Sequence, residues 1–465
     1  MAADTTTLIS EAELSQSQLR RTIFAMVWPV SLENILQMLI GFVNTALVGR
    51  LGAATILAVG LSGRVGMFVW ILLGMVGTGA TVLIAQAVGA RDEERVRRTA
   101  QQALLVALVM MFFISGTAYV YAPSLLGMFR ATPEALPLGV TYLRILAFSM
   151  PFQALYLVMS AILRGMGNTR VPMQIAFVIN IVNAGLSYVL ISGRFGFPAL
   201  GFRGPAFAAI VGQMTGMAIA AWYLYSTRSG VSLRLRDRVS LDPRLIGRLL
   251  RIGVPSSAEM FFWQLAAIIL FRLINQFGTV AGAAYQLGLQ AEGISYMPSA
   301  GFGIAATALV GRSLGAKNLP LAERYIRQIV RWGVTLSAFA TAILVLAPKA
   351  LMGILTNDQA VIAMGAQYLL IMGFSQIPQQ ISMTLGGSLR GAGDTVTAMV
   401  AAGVGIWGCR IPLAFLLSKS TGLGITGVWW AINIDQWVRV VIVLWRYFQG
   451  RWKTAVQNGV TEAAD

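Results

Sequence analysis

Long apolar runs alternate with short polar breaks along nearly the whole chain, and each run exceeds what a half-buried strand or surface helix of a soluble domain requires. A bilayer core about 30 Å thick takes roughly 20 apolar residues per helix. Runs of that kind, bounded by charge, Gly or Pro, cover 24–47, 57–86, 100–121, 138–161, 172–192, 204–225, 252–274, 281–310, 331–348, 361–386, 396–417 and 425–445. The pattern predicts an all-α polytopic membrane protein with twelve spans. The opening stretch MAADTTTLISEAELSQSQL has no basic start and no apolar stretch, so it reads as a polar tail over 1–19 and not as a cleaved signal.

The halves repeat at an offset of 226 residues. Pro29 falls on Pro255, Glu33 on Glu259, Gly52 on Gly278 and Gly89-Ala90 on Gly315-Ala316. Further on, Tyr142-Leu143 falls on Tyr368-Leu369, Phe148-Ser149 on Phe374-Ser375, and the stretch from Leu163 to Thr169 on that from Leu389 to Thr395. Six spans separate the copies, and six is even, so both enter the membrane from the same side: two parallel six-helix repeats, a transporter architecture. The division is an N-terminal lobe over 20–226, a basic linker over 227–250, a C-terminal lobe over 251–447 and a tail over 448–465. In the linker, Asp242-Pro243 reads as an N-cap with Pro at the first helical position. Leu245, Ile246, Leu249 and Leu250 then form an apolar stripe beside three arginines, as in an interfacial helix.

Composition narrows the chemistry. Of 465 residues, 57% are hydrophobic and only 11% charged, against roughly a quarter charged in an ordinary soluble domain. There is no histidine and one cysteine, Cys409, so an intrachain disulfide, a His or Cys metal cage and a His-activated nucleophile are all excluded. No enzyme chemistry is visible, and no Walker motif or cofactor signature appears. The net charge of +17 sits at the ends of apolar spans, where it meets lipid headgroups, not nucleic acid. With the N-terminus inside, the inner loops and tails hold 24 basic residues and the outer loops six, so both termini are expected in the cytoplasm.

The stretches WPVSLENILQMLIGFVNTALVGRLG (28–52), LIAQAVGARDEERVRR (83–98), LRGMGNTRVPM (163–173), AEGISYMPSAGFGIAATALVGRSLGA (291–316) and LRGAGDT (389–395) carry a resemblance to the multidrug and toxic compound extrusion (MATE) transporters, over nearly the whole chain. That resemblance implies two six-helix lobes in a V around a central cleft, in a monomer of the bacterial inner membrane. It also implies export of mostly cationic, amphipathic compounds against proton or sodium re-entry. Many members carry an acidic residue late in the first helix, in a segment similar to FVDT; here it is FVNT, with Asn44, whose amide cannot exchange a proton. A flippase of a lipid-linked or polyprenyl substrate, on a related two-lobe fold, is the alternative; it calls for a strongly basic cleft.

A charge inside a bilayer needs a partner, a proton or water. Glu33, Glu259, Glu292 and Asp435 are the four acids within spans. Glu33 and Glu259 each stand four residues after a proline, on the side of the kink; each is read either as a structural pin or as a coupling residue. The coupling-ion candidates are Glu33, Glu259 and Glu292, with Asn44 as a neutral ligand in a sodium cage. Glu33, Gln37, Gly41 and Asn44 share a face of the first span, whereas the second lobe has Trp263 in place of Gln37 and offers an aromatic surface for a cation. The substrate candidates are Gln37, Trp263, Tyr285, Gln286, Gln290, Asn180, Asn183 and Arg64, with packing as the rival role for Trp263 and the amides. Asp435 lies four residues before Arg439, which predicts an intrahelical ion pair.

Overall fold

The computed structural model describes residues 15–48, 52–129, 132–226, 241–420 and 422–453. Most of the polar N-terminal tail, the linker up to 240 and the tail from 454 lie outside the described residues. Every regular element among the described residues is helical. The first half contains α1 (Gln16–Val48), α2 (Ala53–Gly89), α3 (Glu93–Val120), α4 (Ala122–Gly127), α5 (Ala135–Gly165), α6 (Arg170–Ser192) and α7 (Gly204–Tyr225). The second contains α8 (Pro243–Asn275), α9 (Thr279–Gly315), α10 (Leu319–Leu346), α11 (Pro348–Leu355), α12 (Gln359–Gly373), α13 (Gln376–Gly391), α14 (Thr395–Gly403), a π-helical turn (Val404–Arg410), α15 (Ile411–Lys419) and α16 (Ile425–Phe448). Ten of these helices are long and apolar enough to cross a bilayer, and up to twelve spans result if each bent pair counts as one.

The twelve apolar runs fall on these helices with three differences, of which one is a 47° bend in the eighth run between Thr279–Gly293 and Ser295–Gly315. The ninth run is read to 348, but α10 stops at Leu346 because Pro348 cannot continue the helix and instead opens the short α11. The tenth run is two helices, α12 and α13, meeting at a 50° bend at Phe374–Ser375. Among the described residues no separate interfacial helix precedes the seventh span. Asp242 Oδ1 does accept from the Leu245 amide at 3.0 Å, as a cap should, but α8 then runs unbroken from Pro243. Leu245 and Leu249 are buried in the core formed by α2, α3, α5, α6 and α7, so their stripe faces protein.

The repeat is legible in the hydrogen bonds as well as in the letters. After α2, the amides of Arg91 and Asp92 close back onto Val88 and Ala87; after α9, those of Lys317 and Asn318 close onto Leu314 and Ser313. Both are Schellman closures. Arg91 and Lys317 take φ of 56° and 57°, and Asp92 and Asn318 then cap α3 and α10. The two LRG loops behave alike: Gly167 (φ 86°) and Gly393 (φ 91°) supply the left-handed residue, and Asn168 and Asp394 cap the next helix through Val171 N and Thr397 N. Between helices, Thr81 Oγ1 donates to Ala161 O at 3.0 Å and Thr307 Oγ1 to Gly387 O at 2.9 Å, while Ser115 and Thr341 donate to the carbonyls of Ala147 and Gly373. Each pair of bonds is related by the 226-residue offset.

The chain forms two compact units, and the cuts fall inside helices. Leu32–Gly253 make one unit; the helical residues up to Ser31 belong with Val254 onward in the other. The first turns of α1 thus go with the second unit, where Leu19, Ile23, Met26 and Val27 pack on Phe302, Leu309 and Tyr325, and Ser31 Oγ donates to Pro298 O at 3.2 Å. The first turns of α8 go with the first unit, where a Cβ at Gly79 would lie 3.1 Å from the Leu249 carbonyl carbon. The lobe boundaries at 20–226 and 251–447 read from the sequence therefore differ from the compact units by the ends of two helices. Hydropathy marks where a span begins, whereas packing decides which bundle its first turns join.

Candidate functional site

The two proline-proximal carboxylates meet guanidiniums. In the first unit, Arg164 Nη1 donates to both oxygens of Glu33, at 3.2 and 3.3 Å, and Glu33 is only 4% exposed. In the second, Arg390 Nη1 donates to Glu259 Oε2 at 2.9 Å. The partners are the arginines of the two LRG stretches, 131 residues downstream in each repeat. The same turn that reverses the chain at the end of α5 or α13 thus sends its Arg back to the helix that opens the lobe.

Glu292 is served differently. Tyr368 Oη donates to its Oε2 at 2.6 Å and Gln376 Nε2 to its Oε1 at 3.1 Å. Gln376 is fixed in turn, because its Nε2 also donates to Met372 O at 3.1 Å and its Oε1 accepts from Ser295 Oγ at 2.8 Å. Tyr368 lies on α12 and Gln376 opens α13, so the bend between those helices places both donors on one carboxylate. Gly288 leaves room for the Tyr368 ring, whose Cε1 a Cβ there would approach to 2.8 Å. Tyr285 and Trp429 meet that ring edge-on, each with centroids 5.7 Å away. The result is a carboxylate with two neutral donors and an aromatic surround.

Asp435, fully buried on α16, receives two guanidiniums. Arg439 donates to it from one turn away through Nε and Nη2, both at 2.9 Å, which is the intrahelical pair expected from the sequence. Arg410, at the end of the π-helical turn, donates through Nε at 2.8 Å. The fit depends on Gly405, where an added Cβ would fall 2.7 Å from Arg439 Cγ and closer still to Asp435 Oδ1. Sequence reading missed Arg410 as a partner, because 25 residues and a helix break separate it from Asp435.

In the first unit Asn44 Oδ1, Asn180 Nδ2 and Asn183 Oδ1 are buried without a hydrogen-bond partner among the described residues. Ser187 Oγ, one turn beyond Asn183 on α6, is likewise unpartnered. Gln37, Arg64, Trp263, Gln286 and Gln290 are exposed, and Arg64 makes no ion pair with a carboxylate among the described residues. Gln286 lines a shallow recess with Phe271, Asn275 and Thr279 at the turn between α8 and α9. Tyr285, by contrast, is buried and belongs to the Glu292 surround. No group of three or more acidic or Cys side chains able to hold one metal ion stands among the described residues.

Comparison with known proteins gives one consistent result. The family model described as MatE matches residues 29–189 and 255–416. The chain is 31% identical to a probable multidrug resistance protein NorM of Thermotoga maritima, over 94% of each chain. It is 27% identical to the probable multidrug resistance protein YoeA of Bacillus subtilis, over 94% of this chain and 95% of that one. Among solved structures, an outward-facing multidrug resistance MATE family transporter of the MOP superfamily superposes with a TM-score of 0.88 at 22% identity, covering 98% of this chain and 100% of that one. A point mutant of the Vibrio cholerae MATE transporter VcmN gives 0.87 at 21% identity, covering 94% and 99%.

Proposed function

The chain belongs to the MatE family of multi-pass membrane transporters, and from that premise we propose that it is a secondary antiporter exporting small organic, mostly cationic and amphipathic compounds in exchange for protons or sodium ions. The observation that carries the proposal is Glu292. Glu33, Glu259 and Asp435 are each committed to a guanidinium, whereas Glu292 is bonded to a phenol and an amide. A carboxylate held by neutral donors keeps its charge available to an incoming cation. On this reading proton or sodium and substrate compete for one negative charge, and each lowers the affinity for the other. No cofactor is required. Glu33 and Glu259 serve as pins, and Asn44 has no titratable group to contribute. A carrier of lipid-linked pyrophosphate would need free clustered arginines; Arg410 and Arg439 are instead taken up by Asp435.

The test is transport by the purified protein in liposomes, with ethidium as the fluorescent organic cation, under an imposed proton gradient and separately under a sodium gradient. Gradient-dependent ethidium flux under one of the two is expected; none under either sinks the antiport reading. We place the chain in the bacterial inner membrane as a monomer, following the family resemblance, and both termini in the cytoplasm on the strength of the basic-loop bias. With Cys409 replaced, Arg238→Cys should resist an impermeant thiol reagent applied to intact cells, and Pro198→Cys should react. The reverse labelling would invert the topology.

A further inference from the structure

α13 carries four polar side chains at one-turn intervals, Gln376, Gln380, Thr384 and Ser388, and each is at most 3% exposed. The file spans about 18 Å, more than half of a bilayer core. It starts at Glu292, which accepts from Gln376 Nε2 at 3.1 Å, and ends two residues before Arg390, whose pair with Glu259 is partly exposed. Within it Gln380 Nε2 donates to Thr384 Oγ1 and Ser388 Oγ to Thr384 O, both at 2.9 Å. The fold does not require this polarity. At the 226-residue offset the same four positions of the first unit are Met150, Ala154, Val158 and Ile162, all buried in its apolar clusters. The file has one break, between Gln376 and Gln380. There Gln380 Oε1 and Ser337 Oγ, on residues 0% and 1% exposed, have no hydrogen-bond partner among the described residues. A Cβ at Gly333 of α10 would lie 2.9 Å from Gln380 Cδ, and two turns further along α10 Thr341 Oγ1 donates to Gly373 O. α10 therefore runs antiparallel to α12 and α13, and Ser337, one turn beyond Gly333 on the same face, stands level with Gln376. A water donating to Gln380 Oε1 and accepting from Ser337 Oγ satisfies both and closes the break. The first-unit mate of Ser337 is Met111, again apolar and buried.

We propose that this file is a water-lined route by which Glu292 exchanges a proton with the cytoplasm, with Gln380, Ser337, Thr384 and Ser388 holding the waters in line. The proposal rests on the reading of Glu292 as the coupling carboxylate, and it makes the coupling ion a proton. The side chains themselves are neutral and do not titrate. Each water along the file accepts one proton and gives up another, so a proton leaving the Glu292 carboxyl emerges at the LRG end of α13, which is cytoplasmic in the proposed topology. A hydrated metal ion does not fit this course. The helices approach closely at Gly333 and again at Gly387, where a Cβ would lie 2.9 Å from the Gly303 carbonyl carbon. The other titratable or charged groups acting on Glu292 are Tyr285 and Tyr296 of α9, Tyr368 of α12 and Arg410 of the π-helical turn, and none of them stands on α10 or α13.

Two fluxes of the full-length protein in liposomes separate a proton route from a packing role. Net ethidium transport driven by a proton gradient needs proton release in every cycle, whereas exchange of deuterated for ordinary ethidium without a gradient does not. Gln380→Leu removes a hydrogen-bonding group at the break and should slow net transport by about tenfold or more while exchange continues. Thr384→Val keeps the shape and removes the hydroxyl, so it should show the same split and carries the test should Gln380→Leu fail to fold. Gln380→Ser should transport faster than Gln380→Leu, because a smaller polar residue leaves room for a further water. A packing role predicts the reverse order, since Leu fills the site and Ser leaves a cavity. Net transport as fast as wild type in Gln380→Leu and Thr384→Val, exchange lost in step with net transport, Ser slower than Leu, or transport driven by sodium alone each overturns the proposal. Failure of the underlying reading shows elsewhere, as proton-driven ethidium transport that survives Glu292→Gln.

Discussion

Arg164→Ala is expected to destabilise the protein by about 3–5 kcal/mol, the range for removing one partner of a buried ion pair. The reason is what it leaves behind. Glu33 is 4% exposed, both its oxygens are served by Arg164 Nη1, and no other basic group reaches it among the described residues. Arg390→Ala breaks the repeat-related pair, yet the Glu259 side chain keeps 29% of its surface exposed and can be solvated in part. Its cost should be smaller, about 1–2 kcal/mol. Removing both charges of the first pair, as Glu33→Gln with Arg164→Gln, should recover most of the loss, because two neutral groups avoid the stranded charge. Chemical unfolding in detergent, monitored by tryptophan fluorescence, measures all three. Equal losses for Arg164→Ala and Arg390→Ala would mean that burial does not set the cost, and a double variant no better than Arg164→Ala would mean that Glu33 has another role.

The elements that repeat were legible in the sequence because their causes are local. A helix stop followed by a capping Asp or Asn, as at Arg91-Asp92 and Lys317-Asn318, is written within five residues, and so is the glycine of each LRG turn. The span count followed from apolar length, which the bilayer fixes. Partner choice was not legible in the same way. Glu33 finds Arg164 across 131 residues, and nothing near either residue names the other. A signal did exist: the same separation joins Glu259 to Arg390, and a Glu and an Arg kept at one spacing in both halves is a contact that a repeat comparison can propose. The Glu292 site had no such signal, because its repeat mate is Gly66, which carries no acid, and its donors Tyr368 and Gln376 meet only where α12 and α13 bend. Arg410 was hidden for a related reason. A π-turn shifts the helical register, so counting by threes and fours from Asp435 or along the eleventh span does not bring the two together. On the proposed reading, the differences between the lobes, not their likeness, hold the chemistry.

Glu292→Gln is expected to abolish gradient-driven ethidium transport in liposomes, whereas Glu33→Gln and Glu259→Gln are expected to retain it in whatever fraction remains folded. The substitution keeps size and removes the charge, so neither proton nor sodium gains anything by binding there. Its structural cost is limited. The new amide oxygen still accepts from Tyr368, but the amide nitrogen now faces the Gln376 donor, and Gln376 must turn its own oxygen inward and give up Ser295 Oγ. One exchanged hydrogen bond is worth about 0.5–1.5 kcal/mol, too little to unfold a lobe whose Tyr368, Tyr285 and Trp429 packing is untouched. Ethidium binding without a gradient should survive with lower affinity and lose its dependence on pH and on sodium, because the competing cation no longer has a site. Stability should follow the opposite order, with Glu33→Gln losing more than Glu292→Gln, since only the former leaves a guanidinium without its carboxylate. Full gradient-driven transport by Glu292→Gln would move the coupling site elsewhere. Loss of transport in Glu33→Gln at unchanged stability would move it to the first unit, where the unpartnered Asn44, Asn180 and Asn183 atoms would become the next residues to replace.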